Sequence, residues 1–230
     1  MSSRLAATAM LVGLQAAGLS AVAAAQARTV DEGTFVISRD GAPVGRESFR
    51  IVRNPPGAGE AYRATAQIAI GDRRIAPTLG TDSLGAPVSY AVAVQDGAEP
   101  AVRLQARARP GRFSALLQTR HGESAKEYIV QGNAVLLDDD VAHQLYFVAL
   151  AGSRSGPLTI IDPRDGEQVR ASLQRVGAEA VDIAGHQVPA TRFSLDVAGV
   201  HRDFWIDAAG RVLKVTSPDR LTAVRDELPR

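Results

Sequence analysis

Apolar and polar residues alternate along most of this chain, and turn residues interrupt the alternation roughly every 8–12 positions. Thr34 to Arg39 reads as a first strand. Asp40-Gly41 follows, a hairpin signal because both residues tolerate positive φ. Val44 to Arg53 sets Phe49 and Ile51 on one face against Arg46, Ser48 and Arg50 on the other. The run Asn54-Pro55-Pro56-Gly57-Ala58-Gly59 suits only a loop. Tyr62, Ala64, Ala66, Ile68 and Ile70 then share a face, and a strand near Arg74 to Thr81 follows. Val88, Tyr90, Val92 and Val94 line one side of the next strand, and Asp96-Gly97 turns the chain again. Val102, Leu104, Ala106 and Ala108 alternate with Arg103, Gln105, Arg107 and Arg109 before the Pro110-Gly111 turn. Strands at Arg112 to Thr119 and Lys126 to Val130 close this half.

One segment changes period. Over residues 139–150 the apolar positions Val141, Leu145 and Val148 fall at i, i+4 and i+7, which predicts a helix. Asp139 or Asp140 would cap its start and Gly152 would end it. Strands resume at Leu158 to Ile161, Gln168 to Val176 and Ala180 to Ile183. Closing strands follow near Val188 to Val197, Val200 to Asp207 and Arg211 to Thr216. The pattern predicts a mainly β protein: a bent antiparallel sheet or partial barrel of about 11–13 strands, with one short helix covering its apolar concavity. Residues 28–230 are expected to form a single β domain.

The first 27 residues stand apart. Arg4 precedes an uncharged apolar run from Leu5 to Val22, and Ala25-Gln26-Ala27 gives a small-x-small cleavage pattern. This reads as a secretory signal peptide, so a periplasmic, soluble protein is expected. No later run is long enough for a membrane helix. Aromatics make up 5% of the chain, too few for the two girdles of a transmembrane barrel. There are no cysteines, so an exported chain must hold itself by packing. With 26 Lys and Arg against 25 Asp and Glu, the chain carries no global field to recruit nucleic acid.

Few residue groups suggest chemistry. Asp140 and His143 lie at i, i+3 and would share a helix face, yet spacing identifies no further metal ligand. His201 and Asp203 share a strand face beside Trp205, an arrangement that would suit an envelope-glycan hydrolase. His121 and His186 fall in turns. Gly152-Ser153-Arg154-Ser155-Gly156 has arginine where a nucleophile elbow needs serine. Gly57-Ala58-Gly59 lacks the third glycine of a dinucleotide loop. Arg103, Arg107 and Arg109 form a basic stripe that either grips phosphates or anionic glycans, or pairs across strands with carboxylates. No metal, cofactor or catalytic residue is expected.

Some of these motifs form a set. Gly33-Thr34-Phe35 and Asp40-Gly41-Ala42-Pro43-Val44-Gly45 stand near the start, and Trp205-Ile206-Asp207-Ala208-Ala209-Gly210-Arg211-Val212-Leu213-Lys214 stands near the end. The set resembles a group of uncharacterised secreted bacterial β-proteins with a W-x-D-x-x-G-R hairpin. Such proteins are similar to periplasmic lipoprotein-carrier half-barrels. The resemblance implies a helix across the open side of a bent sheet and a role in binding an apolar ligand or partner; it supplies no catalytic residues.

A non-catalytic binding protein is therefore the first expectation. Tyr90, Val92, Val102, Leu104, Leu145 and Val148 would enclose a lipid-like ligand, a lipoprotein segment or part of an envelope protein. The same residues would equally build a closed core. A glycan hydrolase and an assembly module presenting a sheet edge are the alternatives.

Overall fold

The computed structural model describes residues 26–153 and 157–229. Most of the expected signal peptide, residues 1–25, lies outside the described residues. The described chain forms β1 (Arg28–Arg39), β2 (Ala42–Arg53), β3 (Tyr62–Ile70), β4 (Arg73–Thr81), β5 (Pro87–Asp96), β6 (Glu99–Arg109), β7 (Arg112–Thr119) and β8 (Gly122–Ile129). After β9 (Asn133–Leu136) come a 3-10 turn (Ala142–Gln144) and helix α1 (Leu145–Gly152). Then follow β10 (Leu158–Asp162), β11 (Glu167–Ile183), β12 (His186–Val197), β13 (Val200–Ile206), β14 (Val212–Thr216) and β15 (Leu221–Arg225).

All 15 described strands join one sheet, ordered β8 to β1, then β15 down to β9. The chain is thus mainly β with one short α-helix, but it has more strands than the alternation predicts. Asn133–Leu136 is buried at every position and so shows no period of two. In the other direction, Gln168–Val176 and Ala180–Ile183 are one 17-residue strand, bent by a bulge between Arg175 and Gly177.

Neighbours pair antiparallel, except that β9 and β10 run parallel. A parallel pair needs a crossover, and the 3-10 turn and α1 supply it. The first and last strands meet, with Phe35 opposite Arg225 and Arg39 opposite Leu221.

The inward positions carry the core. β3 alternates strictly, with Tyr62, Ala64, Ala66 and Ile68 buried and Arg63, Thr65 and Gln67 exposed. Phe35, Ile51, Leu79, Tyr90, Leu104, Phe113 and Phe204 join the same cluster. Helix α1 sits against this face. Leu145, Phe147, Val148 and Ala151 are buried, and Tyr146, Ala149 and Leu150 also pack on the cluster. Its sequence, LYFVALAG, is apolar all round, as a helix surrounded by protein requires. Gly152 ends it where a Cβ would stand 2.2 Å from the Leu173 side chain.

The expected aspartate cap does not form. Neither Asp139 nor Asp140 caps the 3-10 turn or α1. Glu47 of β2 reaches across instead and accepts the amides of Ala142 at 2.8 Å and His143 at 3.0 Å. A buried carboxylate at a helical start satisfies free N–H groups that an exposed aspartate would leave to water.

The two end strands of the sheet, β8 and β9, do not pair with each other. At the β8 end, the Gln168 side chain stands in for a strand. Its Nε2 donates to the Ile129 carbonyl at 2.6 Å, and its Oε1 accepts the Ile129 amide at 3.1 Å. Lys126 donates to the Gly166 carbonyl beside it. A second, smaller core of Val181, Ile183, Ala190, Trp205 and Leu213 lies where the long β11–β12 hairpin meets β13 and β14. No described helix is long and apolar enough to cross a membrane.

Candidate functional site

The six positions expected to line a ligand do come together. Tyr90, Val92, Leu104, Leu145 and Val148 are all 3% exposed or less, and Val102 is half-buried. Five of them pack into the buried cluster that α1 joins, while Val102 also borders hollows of about 330 and 380 Å³. The hollow that touches Leu145 measures about 40 Å³, far below the roughly 300 Å³ at which small-molecule sites begin.

A polar network fixes the crossover inside the sheet. Tyr90 Oη donates to Asp138 Oδ2 at 2.8 Å, and the Asp138 amide donates to Gln144 Oε1 at 2.7 Å. Arg164 Nη2 lies 2.7 Å from Asp138 Oδ1 and 2.8 Å from Asp140 Oδ2, which Arg73 also meets at 2.9 Å. Burial raises the Asp138 carboxyl, against the pull of Arg164. Burial and the neighbouring Asp138 hold Tyr90 well above the usual phenol range. His143, grouped with Asp140 by sequence spacing, points elsewhere. Its Nδ1 lies 2.6 Å from Glu47 Oε1, and its ring stacks on Phe49 at 5.5 Å.

A separate cleft of about 280 Å³ at the rim is lined in part by residues next in sequence to this network. Leu137, Ile160, Val169, Val197 and Val200 form its walls, and Asp139, Asp162, Asp165, Glu167 and Arg202 bring charge to it. Each element contributes for a local reason. Asp162 ends β10 and accepts the amides of Arg164 at 2.9 Å and Asp165 at 3.1 Å, which folds the β10–β11 turn. Ala198 and Gly199, both with positive φ, make the β12–β13 turn that places Val197 and Val200. Oxygens of Asp139, Asp162 and Asp165 lie within 4.8 Å of one another, close enough to share a cation. Arg202 already pairs with Asp139. Asp162 is 7% exposed. Burial, and then the charge of Asp138, push its carboxyl up to about 7. Sequence reasoning missed this site because its members sit in three separated turns. The one available signal was Asp162-Pro163-Arg164-Asp165, an Asx-type turn closing an apolar run.

The remaining sequence candidates disperse. His201 is exposed and lies 3.1 Å from Asp196. Asp203 is held by Arg192 at 2.5 Å. Trp205 offers no open platform, being 4% exposed between Arg192 and Lys214, 5.3 and 4.5 Å from its ring centre. His186 Nδ1 turns to the Ala184 carbonyl at 3.2 Å, and His121 lies exposed in the β7–β8 turn. Residues 154–156, the centre of the elbow-like glycine motif, lie outside the described residues. Arg103, Arg107 and Arg109 are exposed on β6.

Known proteins place this architecture in context. No curated protein matches the chain. A crystal structure of a beta-barrel-like protein of the domain of unknown function DUF1849 from Brucella abortus is similar over 86% of this chain and 96% of that one, with 14% identity and a TM-score of 0.48. The profile of DUF6134, a domain of unknown function, matches residues 105–228, from mid-β6 past the end of β15 and across the whole candidate cleft. That match takes in more than half of the sequence, and the chain belongs to the DUF6134 family.

Proposed function

We propose that this is an exported, non-catalytic binding protein of the cell envelope, and that its ligand sits at the rim cleft rather than inside the sheet. The ligand is a small amphipathic cation: an amine or ammonium group on a short apolar body. One observation carries this reading. The apolar walls Leu137, Ile160, Val169 and Val200 converge on Asp139, Asp162 and Asp165, and only Arg202 answers those charges from the cleft lining. A buried carboxyl raised to about 7 by burial and nearby charge is one that an added cation would relieve. The volume of about 280 Å³ suits a small molecule and not a long acyl chain. The apolar leader supports export.

Native mass spectrometry of protein gently extracted from its own envelope tests this. A bound mass is expected, and it is expected to disappear in Val200→Trp, whose indole fills the cleft. A clean apo mass, or a ligand that Val200→Trp retains, would overturn the reading.

A further inference from the structure

The outer face of β4–β7 carries more cations than its own strands answer, and the flanking acids Glu60 and Glu127 bond to Ser89 and Ser114. Arg74, Arg103, Arg107, Arg109 and Arg112 are exposed on it, and the acids of these four strands, Asp96 and Glu99, lie at the β5–β6 hairpin end. Cross-strand pairing with carboxylates is the ordinary reason for such a stripe. Here the register denies it. Arg103 stands between Ala93 and Gln118, Arg107 between Ser89 and Ser114, and Arg109 opposite Arg112. Arg112 turns to Glu127 at 2.6 Å, while the side chains of Arg103, Arg107 and Arg109 have no hydrogen bond or ion pair among the described residues. Leaving like charges side by side and unpaired costs stability, so a partner that supplies the anions offsets the cost.

Two further features narrow the partner. A hollow of about 330 Å³ opens beside the stripe; Gln118 on its lining already donates to Glu123, which leaves Arg103, Arg120 and Gln95 as donors. Those donors suit phosphate oxygens. Between the rows of Arg103 and Arg107, Leu116 stands 42% exposed with Gln105 on one side and Ala125 on the other. Charge surrounding an exposed apolar side chain matches the boundary between headgroups and acyl chains. No aromatic side chain lies outward on these strands to stack on a base or sugar.

We infer that this face docks on an anionic phospholipid surface, with Arg103, Arg107 and Arg109 on headgroup phosphates and Leu116 at the acyl boundary. Docking there leaves the rim cleft, built from β9, β10, β11 and the β12–β13 turn, a separate site.

Vesicle co-sedimentation tests it. The protein in its form after export is mixed with phosphatidylcholine vesicles, or with vesicles containing equal phosphatidylcholine and phosphatidylglycerol. Binding to the anionic vesicles alone, weakened by salt, is expected. The triple change Arg103→Gln, Arg107→Gln and Arg109→Gln should lower the partition coefficient on the order of a hundredfold, at about 1 kcal/mol per arginine near such a surface. Its thermal midpoint should stay put, because these side chains make no internal contacts by hydrogen bond or ion pair. A control with Arg39→Gln, Arg170→Gln and Arg175→Gln changes the net charge equally, on β1 and β11, and should bind like the parent. Equal loss in the control, undiminished binding of the stripe variant, or no binding of the parent to anionic vesicles would each overturn the inference. So would displacement by soluble inorganic phosphate at ionic strength matched with chloride, which would mark a free-anion site.

Discussion

Arg225, at the end of the last strand, sets its guanidinium 2.5 Å from the Asp31 carboxylate in the first strand. Both side chains are almost wholly buried, at 1% and 2% exposure. The guanidinium also donates to the Val212 carbonyl at 2.6 Å and lies over the rings of Phe35 and Phe49, 5.6 and 5.1 Å from their centres. Gly33 makes room, since a Cβ there would stand 2.9 Å from Arg225 Nη1. The opening Gly-x-Phe motif thus has a mechanical reason. Gly33 admits the guanidinium and Phe35 forms its floor, where β1 and β15 meet.

Removing one partner strands the other charge in an apolar setting. Arg225→Met should cost about 3–5 kcal/mol, read by urea unfolding. Arg225→Met combined with Asp31→Leu should recover much of that loss, because no buried charge is left unpaired. Additive losses in the double variant would contradict this account of the pair.

Gln168 is the only side chain among the described residues that bonds both the amide and the carbonyl of Ile129. Gln168→Ala should cost only about 1 kcal/mol globally, the net worth of ordinary hydrogen bonds. Local opening should change far more. Amide exchange at Ile129 should rise by an order of magnitude or more while exchange in β3 stays unchanged.

Ala184 holds φ 50 at the β11–β12 turn, where Asp40 holds the same value in the β1–β2 turn. A left-handed alanine is strained by roughly 1 kcal/mol, and asparagine tolerates that region. Ala184→Asn should therefore stabilise the protein by about 0.5–1 kcal/mol. An unchanged or lower unfolding midpoint would contradict the turn assignment.

The raised Asp162 carboxyl has a definite sign. Its folded value is about 7, against about 3.9 in an unfolded chain. Between these values the folded state keeps a proton that the unfolded chain releases. Its contribution is therefore fully present below about pH 4 and lost as pH rises through about 7. Asp162→Asn keeps an oxygen to accept the Arg164 and Asp165 amides. The drop in urea midpoint from pH 5 to pH 8 should be smaller in this variant than in the parent. An equal drop in both would remove Asp162 from the account.

What was legible in the sequence was local. Alternation at Tyr62 to Ile68 gave the buried face because one side of β3 meets the core and the other meets water. Asp40-Gly41 announced its turn because positive φ leaves a compositional trace. Burial on both faces erased the signal at β9, where Asn133–Leu136 has no outward residue to mark the pleat. The helix expected over residues 139–150 starts later, since Val141 is extended and only Leu145 and Val148 of the periodic positions fall in α1, and its cap was not visible because Glu47 arrives from a strand far away in sequence. The cleft was invisible for the same reason. Asp139, Asp162 and Val200 become neighbours only after β9 and β10 pair and the β12–β13 turn folds over them. A chain read one segment at a time shows which residues face inward, but not whether a helix already fills the space they face.

The most direct test of the central claim is a methyl-resolved NMR titration of the protein with hexylamine. Binding at the rim predicts concentration-dependent shifts for the methyls of Ile160, Val169 and Val200, with Leu104 and Val148 unmoved. Shifts at Leu104 and Val148 with none at Ile160 would place the ligand inside the sheet and contradict the account.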